Sequence, residues 1–136
     1  MFDVAVIGGG PVGSRVAYRL AEMGHEVAVI EKKESMAEPV CCTGIISREC
    51  VSRFAIDESV IIRQASSARV FSPSGKLLYL KRPAPQACIV DRSAFNVSLA
   101  RLAQDRGAEY LLNSPVKTID VQDDRVRVET GRGGAG

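Results

Sequence analysis

The sequence is poor in several things, and each shortage excludes a class of function. It has one histidine, His25, well apart in sequence from the four cysteines, so no zinc site is expected and no metal is assigned. No apolar run approaches the length of a bilayer span, so no transmembrane segment is expected. Neither sign of charge dominates: 18 basic and 16 acidic residues are interspersed for a net +2, and without a basic stripe nothing points to nucleic acid. Phe2 and Asp3 stand where a secretory signal needs a basic n-region, so no leader is expected. Cys41, Cys42, Cys50 and Cys88 do not make a disulfide framework, since two of them are adjacent, and a reducing, cytoplasmic setting is expected. What remains, 136 residues at 46% hydrophobic and 25% charged, has the composition of one soluble globular domain with room for a core.

What is present is concentrated at the start. Val4-Ala5-Val6-Ile7 ends in Gly8-Gly9-Gly10-Pro11-Val12-Gly13, and a helical pattern leads to a second apolar run, Val27-Ala28-Val29-Ile30, closed by Glu31. This reads as strand, glycine turn, helix, strand. Gly8 permits a sharp turn, Gly10 leaves the backbone bare where a pyrophosphate must approach, and Gly13 lets the helix lie close on the sheet. Pro11 suits the first helical position, and the helix N-terminus turns its unpaired N–H groups and positive dipole end towards phosphate. Glu31, about 20 residues beyond the glycines, is placed to accept both ribose hydroxyls and disfavours a 2′-phosphate; Lys32 beside it is counted with the cofactor contacts. Glycine-rich turns that bind nothing are common. The surrounding βαβ unit and the answering acid decide for an ADP-containing nucleotide.

Further along, the first helix is predicted over residues 11–23, burying Val12, Val16, Ala17 and Leu20 and stopped by Gly24. His25 falls in the following loop. Residues 32–39 form a polar connection, and a short helix is expected over residues 47–54. Ala68-Arg69-Val70-Phe71 and Lys76-Leu77-Leu78-Tyr79-Leu80 flank Ser72-Pro73-Ser74-Gly75 as a hairpin, which is foreign to a simple doubly wound sheet and suggests an interleaved second layer. Cys88-Ile89-Val90 is a short strand. Asp91 N-caps a helix whose apolar positions are Phe95, Leu99, Leu102 and Ala103, ended by Gly107. Glu109-Tyr110-Leu111-Leu112 gives a third parallel strand, and the alternation from Val116 to Val128 predicts a β-meander.

Between these lies Pro39-Val40-Cys41-Cys42-Thr43-Gly44, for which two readings stand. The thiols pack as small hydrophobes, or they are placed for chemistry on a loop beside the cofactor.

The N-terminal βαβ unit, the Pro-Val-x-Cys-x-Gly pattern of residues 39–44, Asp91-Arg92-x-x-Phe95 and Gly107-Ala108-Glu109, in this order, resemble the start of the geranylgeranyl reductase family. The resemblance spans the whole chain but about the first third of such an enzyme. It implies FAD as cofactor and a p-hydroxybenzoate hydroxylase type of fold: an α/β, Rossmann-like FAD-binding βαβ domain with an inserted hairpin and a meander, incomplete at its C-terminus. Residues 1–130 would be the partial FAD-binding domain, residues 60–90 an interleaved contribution to a substrate domain, and residues 131–136 a flexible end. A Gly-Asp flavin motif would lie further on, so the chain alone is expected to be inactive.

The family saturates isoprenoid double bonds, which implies transfer of a hydride to one alkene carbon and a proton to the other. NAD(P)H or ferredoxin would be the electron donor, and a prenyl-lipid substrate suggests peripheral membrane contact. Cys42 matches the family's cysteine near the flavin better than Cys41 does. Arg92 matches an arginine that reaches the flavin phosphate or ribityl region, and Val116 a position whose backbone meets adenine. Two other readings stay open: a monooxygenase or halogenase of the same fold, which has no need of the cysteine loop, and a non-catalytic nucleotide-binding module. NAD in place of FAD would normally bring a third βα unit soon after Glu31, which the cysteine loop and hairpin do not supply.

Overall fold

The computed structural model describes residues 1–131; the remainder of the glycine-rich end, expected to be a flexible terminus, lies outside the described residues. In chain order the elements are β1 (Val4–Ile7), α1 (Pro11–Glu22), β2 (Val27–Ile30), β3 (Ile45–Ser47), α2 (Arg48–Arg53), β4 (Ile61–Ala65), β5 (Ser67–Phe71), β6 (Leu77–Lys81), β7 (Ala87–Val90), α3 (Arg92–Gln104), β8 (Glu109–Leu111), β9 (Val116–Val121) and β10 (Val126–Thr130), with a 3-10 turn at Glu58–Val60. Two compact units result: Met1–Pro39 with Ser93–Gly136, and Val40–Arg92 inserted between them in sequence.

The first unit holds a parallel sheet in the order β1-β2-β8, with Val4 opposite Val27 and Val29 opposite Tyr110. The central strand β2 is buried along its whole length, as a run of four apolar residues covered on both faces requires. Its Val27 and Val29 join Ala17 and Ala21 of α1 with Ala103 and Ala108 in one core cluster. Alanine dominates there because the helices lie close. An added Cβ at Gly13 would stand 1.9 Å from the Gly8 carbonyl oxygen, so the first turn of α1 rests directly on the β1–α1 turn.

That close approach corrects the expected face of α1. The buried side chains are Ser14, Ala17 and Ala21, while Val12 and Val16 are exposed and Leu20 is only partly buried. Small residues fill the narrow side, and the valines, too wide for it, face outwards. In α3 the buried stripe is Phe95, Asn96, Leu99, Ala100 and Ala103; Leu102 falls beside it and is 45% exposed, against expectation. Both helices end at glycines with positive φ, Gly24 at 93° and Gly107 at 98°. Asp91 immediately precedes α3, as the N-cap reading placed it. β9 and β10 form an antiparallel pair, which is the part of the expected meander among the described residues.

In the second unit β7 is the middle strand of an antiparallel sheet in the order β3-β7-β4. Neither β3 nor β4 was evident from the sequence. The hairpin was: β5 and β6 pair with Val70 opposite Leu78, and the turn is closed by Gly75 N–H donating to the Ser72 carbonyl at 2.9 Å. The short helix α2 is capped by Ser47, whose Oγ accepts from the Cys50 N–H at 3.0 Å. Among the described residues no helix is long and apolar enough to cross a membrane.

Candidate functional site

The glycine turn builds a bare cradle at the C-terminal end of the parallel sheet. Gly8 has φ +96°, a conformation that side-chain-bearing residues rarely adopt, and it reverses the chain out of β1. Gly10 is the N-cap of α1 with φ −64° and ψ −179°; no side chain caps this helix, and Pro11 follows. The amides of the first turn are therefore left to whatever approaches from outside. A Cβ added at Gly10 would meet no protein atom within 4 Å, so the approach to this backbone is open. No acidic residue sits in the first turn to compete for the helix's positive end.

Glu31 directly follows β2 and is 8% exposed. Its carboxylate accepts from the Gly9 N–H at 2.7 Å and from the Lys33 N–H at 3.1 Å. Those two donors compensate the burial of the charge, and each oxygen keeps a lone pair for a further donor such as a ribose hydroxyl. The backbone of Glu31 is held as well, its N–H donating to the Leu111 carbonyl at 3.0 Å and its carbonyl accepting from Ser114 at 2.9 Å. Lys32 beside it is exposed.

Sequence reasoning missed the underside of the turn. Ser14, completely buried in α1, donates to the Gly9 carbonyl at 2.8 Å, and the Tyr110 hydroxyl of β8 donates to Ser14 Oγ at 2.8 Å. Burial pushes the Tyr110 phenol above its ordinary value, and the hydrogen bond with Ser14 works against that rise. The available signal was a serine on the alanine face of α1, at helical spacing from Ala17 and Ala21. Met36 also contributes: its Sδ would lie 3.0 Å from a Cβ built at Gly9.

The other expected residues divide between the units. Val116 opens β9 in the same unit as the glycines. Cys42 and Arg92 belong to the inserted unit. There the loop glycine, Gly44, has φ +68° and lies so close to β7 that a Cβ would stand 2.3 Å from the Val90 carbonyl oxygen and 3.3 Å from Arg92 Cγ. The half-buried Arg92 side chain thus packs on the cysteine loop. Cys41 and Cys42 are both exposed, so neither fills a core position among the described residues; Cys88 does, at 2% exposure. Among the described residues no three His, Cys, Asp or Glu side chains converge to hold a metal ion.

A parallel βαβ unit with an open glycine cradle, an uncapped helix N-terminus and a buried acid after the second strand defines a dinucleotide-binding protein. The FAD dependent oxidoreductase family model matches residues 3–70, half of the chain, and the chain belongs to that family. Its cofactor is accordingly FAD, and the bare main chain at Gly10 together with the carboxylate of Glu31 fits the diphosphate and ribose of such a group.

The chain is 31% identical over 130 residues to a digeranylgeranylglycerophospholipid reductase of Methanosarcina mazei, covering 93% of this chain and 32% of that protein. Among solved structures it resembles a geranylgeranyl bacteriochlorophyll reductase-like protein of Thermoplasma acidophilum, with 28% identity, a TM-score of 0.81, and coverage of 96% of this chain and 37% of that one. A flavin-dependent brominase superposes with a TM-score of 0.72 at 22% identity, over 97% of this chain and 37% of that one, and shares the fold. The chain spans about a third of the length of the curated relatives it matches.

Proposed function

We propose that this chain is the FAD-binding N-terminal part of a flavoenzyme that reduces C=C bonds in the isoprenoid chains of a prenyl lipid. The observation that carries the reading is the extent of the likeness. Identity to the lipid reductases runs over 93% of the chain and so includes the inserted unit with its cysteine loop, beyond the glycine motif common to many FAD proteins. The inserted unit also holds a cleft of about 430 Å³ lined mainly by Ile45, Ala65, Ala68, Leu80, Ala87 and Ile89, a surface suited to hydrocarbon.

In this reading the first-turn amides of α1 and the backbone at Gly8, Gly10, Pro11 and Gly13 receive the diphosphate, and Glu31, flanked by Lys32, holds the adenosine ribose. Val116 meets the adenine, and Arg92 contacts the flavin's polar chain, both on the strength of the family resemblance. The reduced cofactor supplies the hydride chemistry, and the protein positions it and excludes water. Cys42 is the residue proposed to serve the reaction, with an exposed thiol able to give up a proton. A substrate of this kind brings the enzyme to the membrane surface.

The full-length protein, loaded with FAD and reduced with dithionite without oxygen, is expected to saturate a geranylgeranyl lipid. Mass spectrometry would show two added hydrogens per bond. Oxygen-dependent hydroxylation or halogenation of an aromatic, with the lipid unchanged, would overturn the reading.

A further inference from the structure

The peptide between Gly9 and Gly10 carries two groups of opposite use to a diphosphate, a carbonyl that repels it and an N–H that binds it. In a trans peptide these point in opposite directions, and the described chain contains no cis bond. Which of them faces the cradle depends on how this one peptide is turned. Both flanking residues are glycine, so local sterics offer little resistance to a flip here.

The structure holds the peptide by a relay from the far side of the sequence. The Gly9 carbonyl is drawn inwards to Ser14 Oγ at 2.8 Å. A serine hydroxyl has a single proton, and here it is committed to that carbonyl, so any group bonded to Ser14 from below must be a donor. Tyr110 is that donor, at 2.8 Å, across 96 residues of sequence. Its ring also supports Gly9 directly, since Cε1 would lie 3.4 Å from a Cβ there. On the other side the Gly9 N–H is held by Glu31 at 2.7 Å. With the carbonyl turned into the core, the Gly10 N–H of the same trans peptide points the opposite way, and a Cβ built at Gly10 would meet no protein atom within 4 Å.

We propose that Ser14 and Tyr110 are positioning residues for the cofactor: Tyr110, through Ser14, sets the Gly9–Gly10 peptide so that its N–H faces the diphosphate. This rests on the reading of the glycine turn as the diphosphate site. A phenol is protonated at neutral pH without help, and burial raises the Tyr110 value further, so the relay retains its donor.

The test uses the full-length protein with Tyr110→Phe, Ser14→Ala and the double variant, titrated with FAD, with ADP and with adenosine, which lacks phosphate. Each single variant is expected to bind FAD and ADP about 3- to 10-fold more weakly, the scale of one hydrogen bond, with adenosine unchanged. Because the two residues act in series, the double variant should be no weaker than Ser14→Ala alone. Unchanged FAD affinity in both single variants overturns the proposal. So does an equal loss for adenosine and ADP, or losses that add in the double variant. If the unaltered protein binds neither FAD nor ADP, the diphosphate reading itself fails and the relay falls with it.

Discussion

Replacing Gly10 and Gly13 separately with alanine distinguishes a ligand cradle from a tight turn, because the structure gives the two methyl groups opposite surroundings. At Gly13 the new Cβ would lie 1.9 Å from the Gly8 carbonyl oxygen, although real Cβ atoms essentially never come within 3.0 Å of another atom. The obstacle is backbone, so α1 must move by more than an ångström or the turn must open. Overpacking of this kind costs about 1–3 kcal/mol, and alanine's better helix propensity offsets up to about 1 kcal/mol of it. Gly13→Ala should therefore lose up to about 3 kcal/mol of folding stability with no ligand present.

At Gly10 the methyl group enters open space, and φ −64° is allowed for any residue. Two small effects then oppose each other. Alanine is a poorer N-cap than glycine by some tenths of a kcal/mol, and it removes about 0.4–1 kcal/mol of unfolded-chain freedom. Apo stability should be unchanged within about 0.5 kcal/mol. The methyl group would occupy the approach of the diphosphate, and loss of one hydrogen bond to a charged group costs about 1.5–3 kcal/mol, or roughly 10- to 150-fold in FAD affinity. Urea denaturation of the apo protein and FAD titration of each variant provide the two readings. A Gly10→Ala protein that binds FAD as tightly as the unaltered one would show that the diphosphate does not lie on this residue.

Three further outcomes follow from the same geometry. Glu31→Ala leaves the buried Gly9 N–H without its acceptor and should cost about 1–3 kcal/mol in apo urea denaturation, while 2′-phosphorylated ADP gains on ADP in competition binding; no change in that preference would refute the ribose contact. If the proposed reaction is right, Cys42→Ser in the full-length protein should slow alkene reduction and leave FAD affinity intact, and undiminished turnover would exclude a role for the thiol. The raised Tyr110 pKa contributes stability that is fully present below its unfolded value, near 10.0, and is lost as pH rises through the folded one. Unfolding free energies measured across that alkaline range should therefore fall more steeply for the unaltered protein than for Tyr110→Phe, and parallel curves would refute it.

The βαβ unit was legible because its signals are local. Two apolar runs, glycines where the backbone crowds or turns, and one acid at a set distance all lie within the first 31 residues. The hairpin was equally local, with its turn residues between two apolar runs. What escaped depends on contacts distant in sequence. β3 and β4 are short and acquire strand geometry by pairing with β7, whose segment lies some distance on in the chain. The outward face of Val12 and Val16 could not be read from periodicity, because the Gly13–Gly8 contact, not hydrophobicity, decides which side of α1 fits the sheet. Tyr110 was read as a strand residue, and only the fold places its hydroxyl beneath the glycine turn.

The hydrogen bonds that brace the glycine turn from behind lie inside the unit that contains it. Gly9 is held by Glu31 and Ser14, Ser14 by Tyr110, and Glu31 by Lys33, Leu111 and Ser114. The cradle therefore draws none of these supports from the inserted unit, in which Cys42 and Arg92 reside. On the proposed reading, substitutions in Val40–Arg92 other than at Arg92 would change what is reduced without loosening the glycine turn, whereas a change at Ser14 or Tyr110 would reach the cofactor first.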